Sequence, residues 1–480
     1  MHISIGYLFH QKTKRSLEAL RKCCKTHQRF ILFKGELLMK VSTILKATGA
    51  GLLMVSLPVC LAQQFAQPTY PRISGNAEIE FWSWVPNIDK TVQEFEKAFP
   101  NIKVKLVNPG AGQPTYTKLA TAIRAGRGAP DVAQIAYSNL PAFVESGGLV
   151  NLRTLGADNL RRFFVPWTWN QVTFGDQVYG IPQDTGPFAM FYRKDIFDQY
   201  EIKVPKTWDE YAQAAIELNK KSDGKVKIGN FYADQAPWFM ALAWADNAVL
   251  WQRSGNAWIQ TLNNPQSLRV LNFWNNLIQQ KLVTTYPAFS ADFWNAAGNG
   301  EIATSMEAAW GQGTFTGSLG NKTAGQWRVA HLPQWSSGQQ IRSGNWGGST
   351  NVITKQSKNP QAAFLFISWL NTSQAAIESN FKGGGLFPAA TAGLRSPALA
   401  DPNTPAGRFF GGQNINAVFA EAAEGVAVNF PWPPFFPFVV DNFNKHIDAM
   451  IKGQLAPKQA LDNWQRETIS AATRDGYTVR

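Results

Sequence analysis

The amino-acid sequence predicts an α/β protein of open, mostly parallel sheets flanked by helices. Three observations predict it. Strand-like and helix-like segments alternate from Glu78 onward, the rhythm of a sheet with helical crossovers. The third strand-like segment, PDVAQIA at Pro130–Ala136, reads as a buried strand between helices. The chain has 480 residues, more than one hydrophobic core ordinarily organises, so two domains are expected.

The first strand is predicted over Glu78–Trp84, where EIEFWSW ends on two tryptophans flanking a serine. Ile88–Phe99 carries Val92, Phe95 and Phe99 at helical spacing and stops before Pro100. Ile102–Val107 alternates as a half-buried strand, and Tyr116–Ala125 is a second helix ended by the breaker pair Gly126 and Gly128. After the strand Pro130–Ala136, Leu140–Ser146 is a short helix closed by Gly147-Gly148. The rhythm continues beyond VYGIPQDTGPFAMFYRKDIF. Helices are expected around Trp208–Lys220, Pro237–Trp251, Pro265–Gln280 and Pro360–Leu370, with a last helical region from Phe443 to the end. There is no internal repeat and no low-complexity tract.

The formal charge of +13 is concentrated at the N-terminus. Residues 1–62 carry +8 and the remainder +5, spread without a Lys/Arg cluster, so a nucleic-acid footprint is not indicated. From Met39 the chain reads as an export signal: Lys40 and Lys46, an apolar run Ala47–Leu61, then Cys60-Leu61-Ala62 as a small-residue cleavage site. The run is shorter than the roughly 20 residues of a membrane span. The reading favoured is an exported, periplasmic product cleaved after Ala62. A lipid-bearing Cys60 and a buried N-terminal helix are the alternatives. Residues 1–38 fit an early-assigned start, and 63–76 is a polar leader.

Side-chain inventory thins the enzyme readings. All three cysteines (Cys23, Cys24, Cys60) leave with the export segment, and only His331 and His446 remain, so a Cys/His zinc site is not expected. There is no G-x-S-x-G, no P-loop and no nucleotide fingerprint, so no cofactor is called for. A glycosidase needs only two carboxylates, and composition leaves that open. What stands out is tryptophan: all 18 follow the export segment. Trp82, Trp84, Trp310, Trp346 and Trp432 sit where strands or glycine-rich turns end. An indole face beside amide and carboxylate groups suits the C–H face and hydroxyls of a sugar, although each Trp alone is as readily core.

In order along the chain, EIEFWSW, AFPNIKVKLV, RAGRGAPDVAQIAYSNLPAFVESGGLVNL, YGIPQDTGPFAMFYRKDIFD with KVPKTWDEY, NGEIATSMEAAWG and SKNPQAAFLFISWLNTSQAA resemble one family. It is the extracellular solute-binding proteins of bacterial ABC importers, in the sugar-binding group that includes maltodextrin-binding protein. The resemblance covers about Ala77 to Lys452. It implies a two-lobed, type II-like periplasmic-binding-protein fold with the ligand in the cleft between lobes. It further implies a monomer without catalytic activity that delivers a sugar or polyol to a membrane permease. Lobe 1 is expected to comprise 77–180 and 305–350, and lobe 2 to comprise 181–304 and 351–480.

Strand ends in open α/β sheets face the binding crevice, so Trp82, Ser83 and Trp84 are expected to line it. By the resemblance, Tyr137 and Ser138 supply a polar contact after the third strand, with Ser138 where maltodextrin-type binders carry an acidic residue. Asp184 at the crossover is the expected acceptor for sugar hydroxyls; a turn cap is the alternative. Trp238, Glu307 and Trp310 match stacking or hydroxyl-binding positions. Trp346 stands beside Gly347 and Gly348, which resemble a glycine pair bringing backbone to ligand, and Phe387 a late cleft loop. A secreted carbohydrate-active enzyme and a binder of another small polar solute are the competing readings.

Overall fold

The computed structural model describes residues 68–480. The expectations for the start at Met39, the export signal and Cys60 lie outside those residues.

The first sheet follows the predicted rhythm. β1 (Ala77–Trp82), α1 (Ile88–Ala98), β2 (Ile102–Val107), α2 (Gln113–Arg124), β3 (Val132–Ala136) and α3 (Leu140–Glu145) succeed one another, and β1 pairs in parallel with both β2 and β3. α1 turns Ile88, Val92 and Phe95 inward. The chain then passes α4 (Pro166–Gln171) and reaches β4 (Ile181–Pro182) and β5 (Asp184–Thr185).

The second sheet is built on β6 (Phe188–Arg193), in which every residue but Tyr192 is buried. α5 (Trp208–Lys221) is capped by Thr207, whose hydroxyl accepts from the Glu210 amide, and carries Lys220 and Lys221 in its last turn. α6 (Ala236–Ala245) is apolar on all sides and correspondingly buried. The hairpin β7 (Trp251–Ser254) and β8 (Ala257–Gln260) and the helix α7 (Pro265–Gln279) follow, before β9 (Thr304–Ala308), α8 (Gly311–Leu319) and β10 (Trp327–His331). β9 and β10 flank β6, both antiparallel to it. The second sheet is therefore antiparallel, whereas in the first sheet β1 runs parallel to β2 and β3. Helices between strands do not fix direction once over a hundred residues separate β6 from its partner β9.

β11 (Ser349–Ile353) returns to the first sheet, whose order is β2-β1-β3-β11-β4, with β11 antiparallel to both neighbours. α9 (Pro360–Thr372) and α10 (Gln374–Gly384) cover that sheet. Phe366 of α9 meets Phe81 and Phe95 edge-on at 5.1 and 4.9 Å. β12 (Phe387–Pro388) pairs with β5, and α11 (Ile415–Glu424) packs on β6 and β10, with Phe419 against Phe191. α12 (Phe443–Ile451) and α13 (Pro457–Arg474) close the second lobe against α7.

The expected lobe boundaries are corrected by this pairing. Residues 305–331 belong with the second sheet through β9 and β10, and 349–384 with the first through β11, α9 and α10. A strand joins the sheet whose edge it completes, and these edges are set by partners more than a hundred residues away. Among the described residues no helix is long and apolar enough to cross a membrane.

Candidate functional site

Three segments cross between the sheets, and they cross side by side. Gln183–Pro187 leaves the first sheet, Asn345–Gly348 returns to it, and Phe387–Pro388 departs again. The Gln183 amide donates to Ser349 O (2.9 Å), the Trp346 amide to Gly186 O (2.9 Å) and the Ala389 amide to Gln183 O (3.2 Å). The Gly186 amide donates to the side-chain oxygen of Asn345 at 2.7 Å. The packing requires glycine: a Cβ on Gly186 would lie 2.0 Å from Trp346 O. Gly348 has φ +82°, and a Cβ there would lie 2.9 Å from both Asp184 O and the Tyr137 ring. Gly347 has φ +78°, and its Cβ would stand 3.2 Å from Trp310 Nε1. The glycine pair thus brings the crossovers against each other and against the expected site residues Tyr137, Asp184 and Trp310.

On the first-sheet side a buried polar chain links strand ends. Ser83 Oγ donates to Gln134 Oε1 at 2.8 Å, and Gln134 Nε2 donates to Ser349 Oγ at 2.9 Å. Ser349 in turn gives both its hydroxyl and its amide (3.0 Å) to Asp184 Oδ1. Asp184 is only 5 % exposed, and burial raises its carboxyl to about 6 against the pull of the Ser349 donors. Tyr137 OH donates to Asp184 O at 3.2 Å, and burial together with the Asp184 charge pushes this phenol well up. Ser83, Tyr137 and Asp184 are therefore brought together, with Asp184 bracing the crossover as well as facing its neighbours.

On the second-sheet side the aromatics form one cluster. Trp346 stacks on Phe289 at 5.8 Å with planes 8° apart, and Trp310 meets Trp346 edge-on at 4.8 Å. Trp310 Nε1 donates to Trp346 O at 2.7 Å, which fixes the indole and leaves its face half-buried rather than sealed. Beneath them Glu307 is fully buried. Its Oε1 accepts from Tyr232 OH (2.8 Å) and Ser305 Oγ (2.5 Å), and Oε2 has no partner among the described residues. Burial raises this carboxyl to about 8, so Glu307 is a neutral acid at pH 7.

Several expected residues are walls rather than contact surfaces, and these are corrections. Trp82 is buried, its Nε1 donating to Glu80 at 2.7 Å and Lys118 Nζ lying 4.5 Å from its ring centroid, because the strand's alternation turns it under α2. Trp238 is buried in α6, bonded to Met306 O at 2.8 Å and packed on Phe231 and Trp274. Phe387 is buried against Phe419. Trp84 and Ser138 stay half-buried at the ends of β1 and β3. Trp84 is edge-on to Tyr116, and Ser138 accepts from Asn139 Nδ2.

A cavity of about 520 Å³ lies beside Trp310. One side comes from the first lobe: Pro86 after β1, and Phe381–Gly385 at the end of α10. The other comes from α8 and residues 404–406 of the second lobe. Lys382 is its one charged lining residue, and no carboxylate lines it. Gln312 on α8 is 1 % exposed, and neither atom of its amide has a hydrogen-bond partner among the described residues, although the side chain lines this cavity. An amide left so is costly unless a ligand completes it. Sequence reading missed Gln312, Gln134 and Ser349. Gln312 alone carried a local signal, standing two residues beyond Trp310.

Comparison with known proteins gives the chain a family and a fold. The family model described as bacterial extracellular solute-binding protein matches residues 82–377. An arabinooligosaccharide-binding protein of Halalkalibacterium halodurans is 26% identical over 83% of this chain and 90% of its own length. An ABC transporter-associated binding protein of B. animalis subsp. lactis, solved with β-1,6-galactobiose, is 30% identical. That alignment has a TM-score of 0.71 and covers 85% of this chain and all of the other. The galacto-N-biose-/lacto-N-biose I-binding protein of Bifidobacterium longum, solved with lacto-N-biose, is 28% identical with a TM-score of 0.75 over 85% of this chain and all of the other.

Proposed function

The chain belongs to the bacterial extracellular solute-binding proteins, and from that premise we propose that it captures a short neutral oligosaccharide between its lobes and delivers it to an ABC permease. The observation that carries the reading is the Trp310 indole at a cavity walled by both lobes. Its N–H is already occupied by Trp346 O, so what it offers a ligand is its ring face. A sugar presents the matching C–H face, and its hydroxyls match the unpartnered Gln312 amide and the hydroxyls of Thr314, Thr316 and Thr404. The cavity's size falls in the usual range for small-ligand sites, about 300–1,000 Å³. With Lys382 as its one charged lining residue it is poorly suited to polyamines, which need several carboxylates. Hinge closure over the ligand presents the permease with the loaded shape.

No catalytic step is part of this reading. Burial raises the carboxyls of Glu145, Asp184 and Glu307, and none of the three lines this cavity, so no carboxyl pair spans a glycosidic bond there. The relatives are named as binding proteins, and oligosaccharides are reported in the solved ones. We further propose export directed by residues 39–62, giving a periplasmic monomer that begins near Gln63; N-terminal sequencing of the secreted chain tests that start. The function is tested by calorimetric titration with arabino-oligosaccharides, β-1,6-galactobiose and lacto-N-biose, followed by product analysis. Saturable binding of one intact sugar per chain is expected. No binding to any saccharide, or conversion of the sugar, would overturn the proposal.

A further inference from the structure

A second cavity, of about 420 Å³, lies away from Trp310 and also draws on both lobes. Glu145 of α3 lines it from the first lobe, and Arg253 and Trp258 of the hairpin β7–β8 line it from the second. Gln171 and the segment Phe430–Trp432 complete the wall. Two of its polar atoms have no hydrogen-bond partner among the described residues: the donor Trp432 Nε1 and the acceptor Gln171 Oε1. Both side chains are more than nine-tenths buried, at 8 % and 6 % exposed. Gln171 is held in place by its own Nε2, which donates to Phe430 O at 3.0 Å, so Oε1 is the end left over. Trp432 is fixed edge-on by Phe430 at 5.0 Å and Phe436 at 4.9 Å. An orphan buried donor and an orphan buried acceptor are each costly to leave without a partner. The charged lining residues, Glu145 and Arg253, pair with each other at 3.6 Å, so a guest meets no net charge.

We propose that this cavity is a second binding site, separate from the Trp310 cleft, for a neutral hydroxylated ring the size of a monosaccharide. A ring hydroxyl accepts from Trp432 Nε1, a hydroxyl donates to Gln171 Oε1, and the apolar face lies on the aromatic wall of Phe174, Trp258 and Phe430.

The probe is methyl β-D-galactopyranoside, followed by saturation-transfer NMR in the Trp310→Ala variant, in which binding at the cleft is weakened. Transfer from aromatic protein protons is expected to persist in that background. Adding Gln171→Met, or separately Trp432→Phe, should raise the dissociation constant at least tenfold. Melting curves confirm that each variant is folded, and Gln171→Met keeps the side-chain volume should Trp432→Phe disturb the aromatic cluster. Absence of transfer in Trp310→Ala would overturn the proposal, as would affinities unchanged in folded pocket variants. Oligosaccharide binding by the wild-type chain is a separate result and bears on the cleft alone.

Discussion

Trp310→Ala is the perturbation whose size follows most directly from the structure. The indole is anchored at one edge by its bond to Trp346 O, 2.7 Å, and braced by Trp346 and Phe289 at 4.8 and 6.0 Å. The side chain lines the cavity. Covering a large apolar side chain with ligand is worth about 1.5–3 kcal/mol. At 1.4 kcal/mol per factor of ten, truncation should weaken sugar binding roughly ten- to hundredfold. The lost hydrogen bond contributes separately to stability, about 0.5–1.5 kcal/mol. Trp310→Phe separates the two effects, since it keeps an aromatic face and loses the N–H. Calorimetric titration of both variants, beside melting curves without ligand, is the assay. Trp310→Ala should lose at least tenfold in affinity while Trp310→Phe loses clearly less, with similar small drops in melting temperature. Wild-type affinity in Trp310→Ala would refute the platform argument. Equal losses in both variants would show that the tether to Trp346, rather than the ring face, matters.

Three further outcomes are expected. Burial raises the Glu307 carboxyl to about 8 from an ordinary value near 4.5, so between those values the unfolded chain binds fewer protons than the folded one, and stability falls as pH rises. The neutral isostere Glu307→Gln removes that slope, and its melting temperature should be flatter than wild type between about pH 5 and 8; parallel curves would contradict the buried-acid assignment. Gly348→Ala adds a left-handed backbone penalty of about 1–2 kcal/mol to a Cβ 2.9 Å from Asp184 O, so its melting temperature should drop by several degrees. Gln312→Leu removes an unpartnered buried amide, so melting temperature without ligand should hold or rise while sugar affinity falls by roughly tenfold; undiminished affinity would exclude Gln312 from the site.

The first lobe was the more legible part of the sequence because its signals are local. Ile102–Val107 alternates, Pro100 and the glycine breakers mark ends, and β1, β2 and β3 lie where alternation and apolar runs put them. The helix expected over Pro237–Trp251 ends instead at Ala245, since an all-apolar segment has no period to mark its end; Asn247, at φ +58°, turns the chain. Strand direction in the second sheet and the assignment of 305–384 to lobes depend on pairings across the whole chain, which no local pattern encodes. The candidate site divides the same way. Strand-end position pointed to Ser83 and Tyr137, and crossover position to Asp184; Tyr137 bonds Asp184 directly, and Ser83 reaches it through Gln134 and Ser349. Position alone could not tell Trp82 under its helix from Trp310 at a cavity. The Gln134–Ser349 bond spans 215 residues, and neither partner has a local pattern to announce it.

The central claim is that a sugar ring lies on the face of Trp310 between the lobes. A crystal structure of the chain with the oligosaccharide selected by titration tests it most directly. Ring density parallel to the Trp310 indole is expected, with hydroxyls within hydrogen-bond distance of the Gln312 amide and contacts from both lobes. Sugar bound elsewhere, with Trp310 uncovered and the Gln312 amide still without a partner, would contradict it.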